Sequence, residues 1–147
     1  MVGFGQAGIQ GAGIFIRRFG NGMIVLDLPY PTSTNRIWRS GHSRVHKSVE
    51  YKTWRRAAEN LFLAQKRGCV AVKGHFRADI ILSSAKRRSN ADCDNRSKAV
   101  LDFLETMNLI ENDCLCDRVS IEWGAPEQAP EGCRVFVFPA EEQRRAA

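Results

Sequence analysis

Residues 86–113 read KRRSNADCDNRSKAVLDFLETMNLIEND. The second half of this stretch places Ala99, Val100, Phe103, Leu104 and Met107 on one helical stripe, the spacing of an amphipathic helix with a single buried face. The spacing predicts a helix that starts near Asp94 or Asn95 and runs to Met107, with Asn108 in the left-handed position that closes a helix. The polar first half holds a basic run, Lys86, Arg87 and Arg88, and then two acids, Asp92 and Asp94, separated by Cys93. In an extended segment a spacing of two puts both carboxylates on one face. Lys98, four residues after Asp94, projects one helical turn further along the same side.

Upstream, residues 69–82 (CVAVKGHFRADIIL) read as one long or bent strand, with Gly74 as the bend. Before it, Tyr51, Trp54, Ala58, Leu61, Phe62 and Gln65 make another buried stripe, predicting a helix from about Val49 to Lys66 that Ser48 caps and Gly68 ends. Residues 23–28 (MIVLDL) read as a first strand, which Pro29 and Pro31 and the Ser/Thr/Asn cluster after them must leave. Residues 37–46 are basic and read as an irregular segment, with Trp38 among the cations, a pattern suited to a strand of phosphates or to an ordinary solvated loop. Downstream, residues 118–123 (RVSIEW) and 133–138 (CRVFVF) alternate in polarity and suggest a hairpin. The order β-α-β-α-β-β predicts an α+β fold, a mixed sheet with two main helices packed on one face. The domain is expected over residues 23–140. Residues 1–22 read as a flexible leader, or as the product of a start codon placed too early, and residues 141–147 as a frayed tail. Gly3, Gly5 and Gly8 spell G-x-G-x-x-G, but no strand precedes them, so a dinucleotide site is not expected there.

The whole chain has 147 residues, a one-domain length. Apolar residues make up 44% and charged residues 26%, which excludes collagen-like and wholly disordered classes. No apolar run approaches the ~20 residues of a membrane span. The net charge of +6 favours a polyanionic partner, most simply nucleic acid. Five cysteines, an odd number without an export signal, point to reduced thiols and a cytoplasmic protein. Cys114 and Cys116 form C-x-C without a second pair at finger spacing, so a structural zinc site is not expected.

Two carboxylates held together repel unless a counter-charge joins them. A hard dication such as Mg²⁺ resolves the conflict, because it takes one or two carboxylates, keeps several waters and accepts a substrate phosphate. Asp113 lies 15 residues beyond Lys98, and a helix followed by a turn could return it towards the two acids. Structural readings stand beside these. Asp94 could be a helix N-cap, Asp92 could pair with Arg87 or Arg88, Lys98 could be a solvated helix lysine, and Asp113 a turn residue. Cys93 reads as a small filler facing the core.

Three stretches resemble the RusA family of Holliday-junction resolvases. They are residues 28–36 (LPYPTSTNR), continued by His46, Ser48, Tyr51, Trp54 and Arg55; the D-x-D-N-x-x-K core from Asp92 to Lys98; and residues 109–113 (LIEND). The resemblance implies a Mg²⁺-dependent endonuclease, with Mn²⁺ as substitute, that acts as a homodimer on four-way junction DNA. It implies that Asp92, Asp94 and Asp113 bind the metal and that Lys98 is catalytic. Ala91 stands where the family usually has a basic residue. Asn112-Asp113 stands where it often has two acids, which makes Asp117 a competitor for part of the third acid's role. Arg36, Arg39, Arg44, Lys86, Arg87 and Arg88 are the expected DNA contacts. A less specific Mg²⁺ nuclease on branched DNA and a non-catalytic DNA-binding module are the alternatives.

Overall fold

The computed structural model describes residues 17–18, 22–41, 44–65, 71–89 and 91–140. Nine regular elements follow one another among them: β1 (Arg17–Arg18), β2 (Ile24–Pro29), β3 (Trp38–Gly41), β4 (Arg44–Lys47), α1 (Val49–Gln65), β5 (Phe76–Ser83), α2 (Ser97–Thr106), β6 (Cys116–Gly124) and β7 (Gly132–Pro139). The tail at 141–147 and all of the leader except the backbone of β1 and Gly22 lie outside the described residues.

Strand β2 shows why the sheet has a buried face. Ile24, Leu26 and Leu28 are fully buried, and the strand's period of two turns them all to the same side. Phe76, Ala78, Ile80 and Leu82 of β5 and Cys133, Val135 and Val137 of β7 do the same, and all ten join one core. Both helices close that core. α1 contributes Tyr51, Trp54, Ala58 and Phe62, and α2 contributes Ala99, Val100, Phe103 and Leu104. The helices meet where Phe103 receives Trp54 and Phe62 edge-on, at centroid distances of 5.8 and 6.2 Å. The predicted α+β architecture, with its mixed sheet and two helices, is therefore what forms.

Local chemistry sets the helix ends. The Tyr51 amide donates to Ser48 Oγ at 3.1 Å, a side-chain cap of the first turn. The Ser48 hydroxyl in turn donates to the Arg36 carbonyl. At the end of α2, Asn108 adopts φ 58° and the Leu109 amide returns to the Leu104 carbonyl at 2.9 Å. This is the left-handed closure that asparagine tolerates at low cost.

Three expectations are corrected. The last two strands do not pair with each other. The sheet order is β1-β2-β7-β5-β6, with β6 parallel to β5 and the other neighbours antiparallel. The α2 crossover carries the chain back to the end where β5 began, which makes β6 run parallel to β5. β7, apolar towards the core and carrying half-buried Phe136 and Phe138 on its other face, inserts between β2 and β5. Charged β6, with Asp117, Arg118 and Glu122, takes the edge, where charges discourage further pairing. Secondly, residues 69–82 are not one strand. β5 begins at Phe76 after a turn in which Gly74 has φ 73°, and Val72 makes only an isolated bridge to Ile110. Residues 66–70, which include the predicted helix stop, lie outside the described set. Thirdly, the basic segment at 37–46 is not irregular: β3 and β4 form a separate antiparallel ribbon. Its signal is the alternation of Trp38 and Ser40, then Val45 and Lys47, around Gly41.

The sheet face away from the helices carries paired charges. Asp27, only 4% exposed, receives two hydrogen bonds from Arg134, at 2.7 and 3.2 Å. Asp79 accepts from Ser120 Oγ at 2.8 Å, and Arg77 lies 4.2 Å from the Phe138 ring centroid.

Gly132, where β7 begins, has φ 121°, and a Cβ there would lie 2.6 Å from the Tyr30 amide nitrogen. Neither the conformation nor the space admits a side chain. Gly132→Ala is expected to cost about 3 kcal/mol, roughly 10 °C in Tm for a domain of this size. A melting temperature within about 2 °C of wild type would show that the β2–β7 junction yields more readily than this.

Candidate active site

The segment between β5 and α2 is held to the sheet by small contacts. Ser83 Oγ accepts from the Ala85 amide at 3.3 Å, starting a short 3-10 turn over Ser84–Lys86. Further on, Cys93 turns inward, its Sγ 3.8 Å from the Ile121 carbonyl of β6, as expected of a filler. Its backbone is helical (φ −73°, ψ −36°) and opens a second 3-10 turn over Asp94–Arg96, which runs into α2. The segment is therefore not extended through Cys93, and the period-two argument for Asp92 and Asp94 does not apply. Asp94 does not cap this turn with its side chain.

Two of the family-like stretches are tied to each other here. Thr34 Oγ1 donates to the Asn95 carbonyl at 2.7 Å, and Arg96 donates through Nη1 to the Pro31 carbonyl. The Arg96 guanidinium lies 4.4 Å from the Tyr30 ring centroid, Tyr30 stacks on Trp123 at 6.2 Å, and Arg87 lies 5.3 Å from the Trp123 ring. This arginine–tyrosine–tryptophan–arginine column ties the loop after β2 and the loop after β5 to the end of β6. Burial pushes the Tyr30 phenol above the ordinary tyrosine range, against the opposing pull of Arg96 and Arg88.

Between these stretches lies a cleft of about 480 Å³. Asp92 lines it, and so do the cations Arg36, Lys86, Arg88 and Arg96, with Glu50 as the other acid. Arg36 is 3.7 Å from Glu50, an exposed pair of small energetic weight. The cations give the cleft a positive field suited to a phosphate group. Asp92 and Asp94 are exposed and enter no ion pair among the described residues. The alternative pairing of Asp92 with Arg87 or Arg88 is thus not formed. Of the other expected DNA contacts, Lys86, Arg87 and Arg88 are exposed. Arg39 and Arg44 are placed only as backbone positions in the ribbon, opposite His46 and Gly41, and their side chains lie outside the described set.

Lys98 does not face Asp94 in an ion pair. Its Nζ lies 3.1 Å from Asp102 Oδ1 and 3.3 Å from Asp113 Oδ2. Hydrogen bonding to Asp102, opposed by partial desolvation and reinforced by Asp113, holds its ammonium above the ordinary lysine range. Asp113 starts a 3-10 turn capped by the Asn112 side chain, just before β6. Its amide donates to Glu105 Oε1 at 2.8 Å, so the end of α2 fixes its position. Asp117, the competing acid, lies 2.9 Å from His75 Nδ1. It is the extra residue on β6 where the β5–β6 register shifts.

The structure thus brings Lys98 and Asp113 together and sets Asp92 in a cationic cleft. Among the described residues no group of three carboxylate, histidine or cysteine side chains is arranged to hold a metal ion. The donors themselves suit a hard dication, because Asp92 and Asp94 offer free carboxylate oxygens and such an ion needs only one or two of them beside phosphate and water. Burial pushes the Cys116 and Cys133 thiols above the ordinary range, which keeps these two protonated at neutral pH. Two participants escaped the sequence reading. Asp102 is spaced at i+4 from Lys98, a helical ion-pair spacing. Arg96 gave no local signal, because its partners Pro31 and Tyr30 are about 65 residues away in the chain.

Comparison with known proteins matches residues 29–137 to the family model described as Endodeoxyribonuclease RusA. No curated protein matches the chain.

Proposed function

The chain belongs to the RusA endodeoxyribonuclease family, and from that premise we propose that it is a Mg²⁺-dependent enzyme that resolves four-way DNA junctions by paired, symmetric nicks. The observation that carries this reading is Asp92 set among Arg36, Lys86, Arg88 and Arg96 in one cleft, at the start of the D-x-D-N-x-x-K segment. Asp92 and Asp94, with Asp113 as the third acid, are the side chains that would hold the metal. A bound dication supplies charge stabilisation at the phosphate and acidifies the attacking water.

The chain's own residues do the rest. The cleft cations bind the backbone phosphate and orient it towards Asp92. Lys98, fixed by Asp102, presents an ammonium that offsets charge on the phosphoryl oxygens as the fifth oxygen approaches. Glu105 holds the Asp113 backbone so that the acid and the lysine keep their relative position. Two symmetric nicks need two sites related by a two-fold axis, so the working unit is a homodimer. Recognition rests on phosphate contacts and junction shape.

The test is a synthetic four-way junction incubated with and without Mg²⁺. Paired nicks at the crossover that require the ion are expected. Scattered cuts on branched substrates would replace this reading with a general nuclease, and a mobility shift without cuts would replace it with a binding module. If Arg36, Arg39, Arg44, Lys86, Arg87 and Arg88 of both subunits all contact phosphate, affinity falls by about 10⁵-fold or more between roughly 50 and 200 mM salt. A flat salt response would remove those residues from the interface.

A further inference from the structure

We infer that Trp38, on the β3–β4 ribbon, stacks on bases splayed at the branch point of the DNA, an inference that rests on the proposed junction specificity. The described chain has five large apolar side chains that are strongly exposed, and three of them, Trp38 (51%), Val45 (66%) and Val49 (80%), fall within this ribbon and the residue that opens α1. In the ribbon Trp38 lies opposite Lys47, and Ser40 opposite Val45. Directly opposed residues of an antiparallel pair share a face, so Trp38, Val45 and Lys47 make one surface. The ribbon is a two-stranded sheet by itself, outside the five-stranded one, and Trp38 is not part of the core.

The position of this surface follows from its anchors. The Ser48 amide donates to the Ile37 carbonyl at 2.8 Å, and Ser48 Oγ donates to the Arg36 carbonyl, so both ends of the ribbon are pinned together. Arg36, two residues before Trp38, lines the cleft that holds Asp92. Thr34 is bonded to Asn95 of the acidic segment. An object that places a phosphate in the cleft therefore meets the ribbon next.

The chemistry of the surface selects a nucleic acid. Residues 36–47 contain Arg36, Arg39, Arg44 and Lys47 and no acid. Lys47 Nζ stands 5.7 Å from the Trp38 ring centroid and 5.1 Å from that of buried Tyr51. An indole beside a cation, half open to solvent, suits a base whose own phosphate is close by. A second copy of the chain suits it poorly. A two-fold contact of this face with itself would set Lys47 against Lys47, while Arg39 and Arg44 hold register positions of the other face. At a four-way junction the crossover is where bases are most easily unstacked, and apolar side chains exploit such steps.

The experiment compares wild type with Trp38→Ala and Trp38→Phe, measuring binding to a four-way junction and to a linear duplex in EDTA, with sedimentation of the free protein. Trp38→Ala is expected to weaken junction binding by roughly tenfold or more, to change duplex binding by less than about twofold, and to leave the sedimenting mass unchanged. Trp38→Phe is expected to keep most of the junction affinity. A single-stranded oligonucleotide is expected to quench wild-type tryptophan emission and to quench the Phe variant much less. Unchanged junction affinity in the Ala variant, equal loss on junction and duplex, or a drop in mass would each overturn the inference, the last by making the face a protein interface. If wild type neither prefers nor cuts junctions, the proposed function fails on its own, and quenching by the single strand still decides whether Trp38 stacks on bases.

Discussion

Asp92→Asn is expected to abolish junction cleavage in Mg²⁺, lowering the single-turnover rate by about a thousandfold or more, some 4 kcal/mol of lost transition-state stabilisation. Asparagine keeps the shape of the side chain and removes the charge that would hold a dication. The fold has no stake in this charge. Asp92 is exposed and in no ion pair among the described residues, so the variant should melt with wild type. Junction binding should persist, or tighten slightly, because one negative charge leaves a cleft that faces phosphate. Asp94→Asn should behave alike. Asp113→Asn should also fail to cleave, whereas Asp117→Asn should cleave normally, since Asp117 is engaged by His75. Normal cleavage by Asp92→Asn would remove the acidic segment from the chemistry. Loss in Asp117→Asn with activity kept in Asp113→Asn would move the third acid to Asp117.

Lys98→Ala is expected to lower the cleavage rate by about a hundredfold with little change in junction affinity. Its ammonium bridges Asp102 and Asp113, and the side chain is half exposed, so the pair adds less than about 1 kcal/mol to stability. A large kinetic loss without a shift in Tm is therefore the signature to look for. Asp102→Asn leaves Asp113 as the remaining partner, so a smaller loss is expected, about five- to tenfold, in the rate rather than in binding. Lys98→Arg should restore only part of the activity, because a planar guanidinium cannot reproduce the reach of a compact ammonium. Lys98→Ala that cleaves within about twofold of wild type would make this lysine a structural group.

These two predictions concern residues that were legible to different degrees. Asp92, Asp94 and Lys98 stand out in the chain through the whole D-x-D-N-x-x-K pattern, since two acids that far apart also serve as helix caps and ion-pair partners. Asp102 lay in plain view at i+4 from Lys98, but such pairs are common on helices, and only the arrival of Asp113 at the same ammonium singles it out. The extended reading of Asp92-Cys93-Asp94 fails because a spacing of two places both acids on one face only in extended backbone, and Cys93 is helical. Its side chain meets the Ile121 carbonyl where its backbone opens a 3-10 turn.

The strands show the same division. The sequence by itself determined where apolar side chains recur every two or every three to four residues. That settled β2, both helices, the alternating late segments and the mixed α+β class, since periodicity is a local property that backbone geometry enforces. Pairing was decided only in three dimensions. Nothing between residues 118 and 138 says that β7 will lie between β2 and β5 while β6 runs parallel to β5 at the edge. That choice came from the α2 crossover, which fixes strand direction, and from the sheet as a whole, which keeps apolar β7 inside and leaves charged β6 at an edge. The cationic cleft is a consequence of the same assembly. Arg36 and Arg96 are 60 residues apart in the chain, and they line one wall because Pro31 and Tyr30 receive Arg96 across the end of the sheet.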